Sequence, residues 1–236
     1  MRAILFPVLA SAVLALTALG CGEETTINGP GEDVDAPEFA EGEGQVADEA
    51  LAYPEGPYGI EIDSIVENFQ FRGYPAPYAD QSEDQTIQLA DFYNPTGSDV
   101  YPEGSLFGAG NPKPTVLLIA VSAVWCGPCQ YENDVVLPVE YAKYKPQGAE
   151  FLLNLANYES SGDPAKFSHL KAWTTKYDTQ WPAVIDPTLK LTSLFEADAF
   201  PQNILIDTTT MQVLEVIAGV AEEGSPFFDI LEAHLK

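Results

Sequence analysis

Residues 115–123, TVLLIAVSA, form a continuous apolar run of strand length, and the chain turns at once into Trp125-Cys126-Gly127-Pro128-Cys129-Gln130-Tyr131-Glu132. A run with no polar alternation reads as a central strand buried on both faces. Residues 129–145, CQYENDVVLPVEYAKYK, then follow a helical pattern, with apolar positions at Val135, Val136, Val139 and Ala142. Pro138 inside this helix predicts a kink. A buried strand running into a helix through two cysteines therefore anchors the fold.

The elements downstream alternate. Residues 149–158 read as a second strand, and 163–177 as a helix with Asp163 as N-cap and Pro164 at its first position. WPAVID reads as a short strand and PTLKLTSLFEA as a short helix. QNILID, the turn DTTT and MQVLEVIAG give a hairpin, and SPFFDILEAHLK a final helix capped by Ser225 with Pro226 at its first position. The order predicts an α/β architecture: a central mixed sheet flanked by helices. Upstream, the alternating Ile60, Ile62, Ile65, Phe69 and Phe71 read as short strands in a hairpin, and QTIQLADFYNP as a further strand. Residues 94–114, rich in Gly and Pro, read as a loop.

The first twenty residues carry Arg2 and then an apolar run ending in small residues, the pattern of an export signal. Ala18-Leu19-Gly20-Cys21 resembles a bacterial lipobox, with Leu two residues before the cysteine instead of three. That resemblance implies lipidation of Cys21 and anchoring to a leaflet. Gly22, where an Asp would signal inner-membrane retention, favours the outer membrane; without lipidation the chain would be secreted. Residues 21–52 are rich in Glu, Asp, Gly and Pro and contain no Lys or Arg. Like charge with low hydrophobicity predicts a disordered tether, leaving residues 53–236 as the folded domain. A net charge of −26 opposes binding to nucleic acid and offers no basic patch to anionic lipid.

Three uses of the cysteine pair are open: a metal, a staple, or electron transfer. A structural zinc site needs four ligands; beyond the pair the domain offers only His169 and His234, neither at ligand spacing. A disulfide closing so small a loop constrains little of the unfolded chain. Redox chemistry needs what is present. Cys126 falls at or just before a helix N-terminus, where free N–H groups and the helix dipole favour a thiolate. Cys129, one turn on, can resolve a mixed disulfide. Pro128 leaves no unsatisfied N–H in the first turn. Trp125 either covers the site or packs in the core.

The WCGPC motif after an apolar strand, in a chain with an export signal, resembles the thioredoxin-fold disulfide oxidoreductases, and among them the TlpA-like and redoxin group of bacterial envelope proteins. The resemblance covers roughly residues 55–236. It implies a thioredoxin-like fold with an N-terminal β-hairpin extension and an internal helix–strand insertion at about 163–186. It implies Cys126 as nucleophile, Cys129 as resolving thiol, and Trp125, Gly127, Pro128 and Phe200 beside the substrate. Pro201 matches the family's cis-proline facing the disulfide. Glu132, three residues after the second cysteine, matches a glutamate of the TlpA-like group and would exchange a proton with Cys129; the alternative is a solvated glutamate on the helix face. Where thioredoxins carry a buried acid six residues before the first cysteine, this chain has Ala120.

The function implied is an envelope reductase of protein disulfides, with the Cys126–Cys129 disulfide as the redox centre and no separate cofactor or metal. Its implied partners are disulfide-containing envelope proteins, apocytochrome c among them, and a membrane thiol donor. Two other readings stand beside it. A thiol peroxidase would need Pro-x-x-x-Thr-x-x-Cys, whereas AVSAVW precedes Cys126. A binding module or metallochaperone would keep the fold without turnover.

Overall fold

Among the described residues seven strands form one sheet, in the spatial order Gln85–Gln88 (β2), Gln70–Tyr74 (β1), Ala183–Ile185 (β5), Ala149–Asn157 (β4), Val116–Ala123 (β3), Gln202–Asp207 (β6) and Gln212–Ala218 (β7). The computed structural model describes residues 52–75, 84–160, 162–195 and 199–235. The expected export signal, Cys21 and the acidic stretch up to residue 51 lie outside these. No helix among the described residues is long and apolar enough to cross a membrane.

At the centre is β3 (Val116–Ala123), buried along its whole length. It pairs in parallel with β4 (Ala149–Asn157) and antiparallel with β6 (Gln202–Asp207). Its side chains alternate between two cores. Leu118 and Ala120 join Leu153 and Leu205 in a cluster that receives α1 (Gly127–Tyr131), α2 (Leu137–Tyr144), α3 (Phe167–Lys176) and α4 (Pro226–Ala233). Leu117, Ile119 and Val121 face the other way, against Val66, Phe69, Phe71, Ile87 and Phe92. Burial on both faces is why β3 reads as an unbroken apolar run. On one side β7 (Gln212–Ala218) closes the hairpin with β6. On the other, α3 carries the chain from β4 to the short parallel β5 (Ala183–Ile185). Next come β1 (Gln70–Tyr74) and β2 (Gln85–Gln88), the N-terminal hairpin extension, antiparallel to each other.

Several local expectations are corrected. The hairpin begins at Gln70; residues 58–65 make only isolated bridges, and Ile62 is exposed. The helix expected from Asp163 starts at Phe167, because Pro164 is held extended in a bridge to Asn157. The helix expected after β5 is one 3-10 turn, Thr192–Leu194. In the helix after the cysteines, Val135, Val139 and Ala142 face solvent, while Cys129, Glu132, Asn133, Val136, Leu137, Glu140 and Tyr144 are buried. Pro138 lies near the start of α2, directly after a π-helical turn, Glu132–Val136, whose geometry is marked by the Leu137 N–H donating to the Glu132 carbonyl. Pro138 lacks the N–H that an unbroken α-helix would need there.

Candidate functional site

Strand β3 delivers the cysteines to the C-terminal end of the sheet. The Val124 N–H donates to the Asn157 carbonyl (2.8 Å) and the Cys126 N–H to the Ala123 carbonyl (3.1 Å), so the turn out of β3 is fixed on both sides. Cys126 is the N-cap of α1, with extended backbone, and Pro128 sits in the first turn. Cys126 and Cys129 form a disulfide with Cα atoms 5.3 Å apart. The Cys129 N–H donates to Cys126 Sγ at 3.1 Å. In the reduced state that N–H stands ready to stabilise a thiolate on Cys126. Cys126 keeps 3% exposure and Cys129 none, so only Cys126 can be reached by an attacking sulfur.

Around the pair, Gly127 and Pro128 are exposed. Trp125 is 45% exposed, which removes the core-packing alternative, and meets Phe200 edge-on with centroids 5.9 Å apart. The Phe200–Pro201 peptide is cis, and the Pro201 carbonyl accepts from the Gly219 N–H at 2.8 Å. The two aromatic rings and the exposed Gly127 and Pro128 lie at the surface around the pair. A cleft of about 910 Å³, lined in part by Tyr101, Tyr141, Lys145 and Glu150, lies at the opposite ends of β3 and β4.

Glu132 is fully buried, so it is not a solvated helix-face residue. Its Oε1 accepts from the Asn203 side-chain amide and from the Ala221 N–H, both at 2.8 Å. Its Oε2 is buried and has no hydrogen-bond partner among the described residues. Burial pushes the carboxyl from an ordinary 4.5 up to about 7, against the pull of the Ala221 and Asn203 hydrogen bonds; the negative charge of Glu222 adds to the rise. A carboxyl poised near neutrality, one turn after Cys129, has the proton affinity of a general acid–base.

Asn203 and Asn133 were not among the residues picked out by motif. Asn133 donates to Ser122 Oγ (3.1 Å) and to the Cys129 carbonyl (3.0 Å), tying the helix to β3. Asn203 stands directly across the ladder from Ala120, on the same face of the sheet. The visible signal was a polar residue inside the apolar QNILID strand; its meaning depends on a register that local sequence does not contain.

No family model and no curated protein matches the sequence. Solved structures do match. A protein described as a thiol:disulfide interchange protein, DsbE, from Chlorobium tepidum superposes with a TM-score of 0.53 at 18% identity, over 75% of this chain and 100% of that one. A protein described as a protein disulfide isomerase from Bacteroides thetaiotaomicron gives 0.53 at 13% identity, over 75% of this chain and 91% of that one. The chain has a thioredoxin-like fold. Within that fold it carries a disulfide-bonded Cys-Gly-Pro-Cys pair at the start of the helix that follows the central strand.

Proposed function

We propose that this protein is an envelope thiol–disulfide oxidoreductase that reduces protein disulfides. The observation that carries the reading is the cysteine pair itself: one barely exposed sulfur at a helix N-cap, one fully buried sulfur behind it. In the forward cycle the Cys126 thiolate attacks a client disulfide, and one client sulfur leaves as a thiolate. The Cys129 thiol gives its proton to Glu132 and attacks Cys126 Sγ. The mixed disulfide breaks, the second client sulfur leaves with the electron pair, and the enzyme is left as the Cys126–Cys129 disulfide. A thiol donor at the membrane returns the two electrons. Client backbone would lie along Phe200 and cis-Pro201, beside Trp125. The Gly-Pro spacer, as in reducing thioredoxins, favours the reductive direction, and the export signal with Cys21 favours a lipid-anchored envelope location. Disulfide-bearing envelope proteins, apocytochrome c among them, are the proposed clients.

The test is insulin-disulfide reduction. The wild-type protein reduces insulin with dithiothreitol as donor, and Cys126→Ser abolishes the reaction. A wild-type protein without activity, whose pair is also inert to glutathione, would sink the reading. A reduction potential near about −120 mV would reverse the proposed direction. Cys129→Ser, expressed in the native envelope, traps clients as mixed disulfides.

A further inference from the structure

Ala120 leaves the central strand without the acid that the thioredoxin pattern carries there, yet a buried acid is present, delivered from the helix. What holds it is on β6. Asn203 is fully buried, and its Nδ2 bridges Glu132 Oε1 (2.8 Å) and the Gly219 carbonyl (3.1 Å). Because it opposes Ala120, whose side chain is one methyl, its amide can extend over that position toward the helix. The Ala221 N–H reaches the same Oε1 at 2.8 Å. Both fixed donors thus fall on one carboxyl oxygen, and neither on the other.

We propose that Asn203 is a positioning residue for the thiol chemistry: with the Ala221 N–H it occupies Glu132 Oε1, so that the proton exchanged with the Cys129 thiol is carried on Oε2. This rests on the redox reading of the cysteine pair. The proton leaves Cys129 Sγ for Oε2 as the Sγ(Cys129)–Sγ(Cys126) bond forms and the Cys126–client bond breaks. It then passes to the departing client thiolate or to solvent. An oxygen already receiving two donors is a poor seat for a proton, and one with none is a good seat. Two donors on the carboxylate also lower its proton affinity toward neutrality instead of leaving it a permanently protonated buried acid.

Few other charges act on Glu132. On its own helix the ionisable residues around it are Cys126, Cys129, Tyr131 and Asp134, the last two facing solvent, with buried Glu140 eight residues further on. The loop between β7 and α4 contributes Glu222. Strand β3 has no ionisable residue, and in β6 Asp207 lies four residues beyond Asn203.

The experiment compares wild type with Asn203→Leu, which removes the donor at similar volume, and with Asn203→Asp, which keeps the shape and adds a second carboxyl. Two quantities are followed against pH: the rate of mixed-disulfide resolution, and the ¹³Cδ shift of Glu132 in the oxidised protein. Asn203→Leu moves both midpoints up by about one pH unit, so resolution near pH 6 slows roughly tenfold while the alkaline plateau stays. Asn203→Asp moves the Glu132 titration upward as well, since two adjacent carboxyls titrate as a pair. In a Glu132→Gln background, Asn203→Leu leaves the pH profile unchanged. A uniform loss of rate at every pH with unmoved Glu132 midpoints would overturn the proposal. So would a shift that survives Glu132→Gln. Wild-type protein with no disulfide exchange would instead overturn the redox reading on which it rests, and the two failures are distinct.

Discussion

Glu132 brings an ionisable group into a fully buried place where two donors stabilise its charge and desolvation opposes it. Desolvation dominates, since the carboxyl rises from 4.5 to about 7. A carboxyl whose proton affinity is higher in the folded chain than in the unfolded one keeps its full contribution to stability below about pH 4.5. That contribution is lost as pH rises toward 7, because the unfolded chain ionises first. For Glu132 the loss is about 3 kcal/mol, complete above pH 7. Glu132→Gln removes the titration and keeps the Oε1 acceptor. Urea unfolding of the oxidised protein should therefore show the variant gaining about 3 kcal/mol on wild type between pH 4 and pH 8. A constant difference across that range would mean that Glu132 does not titrate near neutrality. Under the proposed cycle, in which the carboxylate takes the Cys129 proton, the sign reverses in activity: the variant should lose about a hundredfold in mixed-disulfide resolution at pH 8.

At the scale of elements, the helix after the cysteines shows where sequence periodicity misleads. Counting apolar residues favours a face through Val135, Val136, Val139 and Ala142. The rotation is set instead by the need to bury Cys129 while Cys126 caps the helix, and this buries Glu132, Asn133 and Glu140 and leaves Val135 and Val139 about half exposed. Hydrogen bonds to Asn203, Ala221, Ser122 and the Cys129 carbonyl offset the cost for the first two polar residues. Substitutions should follow the structure. Val139→Glu should change unfolding free energy by no more than about 0.5 kcal/mol, and Leu137→Ala should cost about 2–5 kcal/mol. Urea denaturation at neutral pH distinguishes the two, and a costly Val139→Glu would restore the periodic face. The strands were more legible, because β3, β4, β6 and β7 are marked by apolar runs bounded by turns. Other elements depended on partners distant in the chain. Pro164 reads locally as a helix start, yet pairing with Asn157 holds it extended. Ile60, Ile62 and Ile65 alternate like a strand but find no continuous ladder. At the site the motif marked Cys126 and Cys129, and the family resemblance pointed to Glu132 and Pro201. Asn203 stayed hidden because its place beside Glu132 comes from a register opposite Ala120.

Over the whole molecule the dominant unbalanced quantity is charge. Thirty-six Asp and Glu face ten Lys and Arg, so most carboxylates can have no cationic partner. Several bases are already committed: Arg72 to Asp84, Lys145 to Glu150, and Lys143 to Glu232 at 3.7 Å. The last two pairs join neighbouring elements: the turn after α2 to β4, and α2 to α4. A compact state with this excess repels itself more strongly than the expanded unfolded chain does, and mobile ions relieve the repulsion within a Debye length of about 10 Å at 0.1 M salt. Screening weakens the few favourable pairs too, but surface pairs contribute only about 0–1 kcal/mol each, and the unpaired carboxylates far outnumber them. The net effect of salt should therefore be stabilising. Raising NaCl from 20 to 200 mM at pH 8 should increase stability by about 1 kcal/mol, read as a rise of ~3 °C in Tm. The gain should shrink on acidification toward pH 5 as carboxylates begin to protonate. A Tm that falls with salt at pH 8 would show that the ion pairs, and not the excess of carboxylates, govern the electrostatics of the fold.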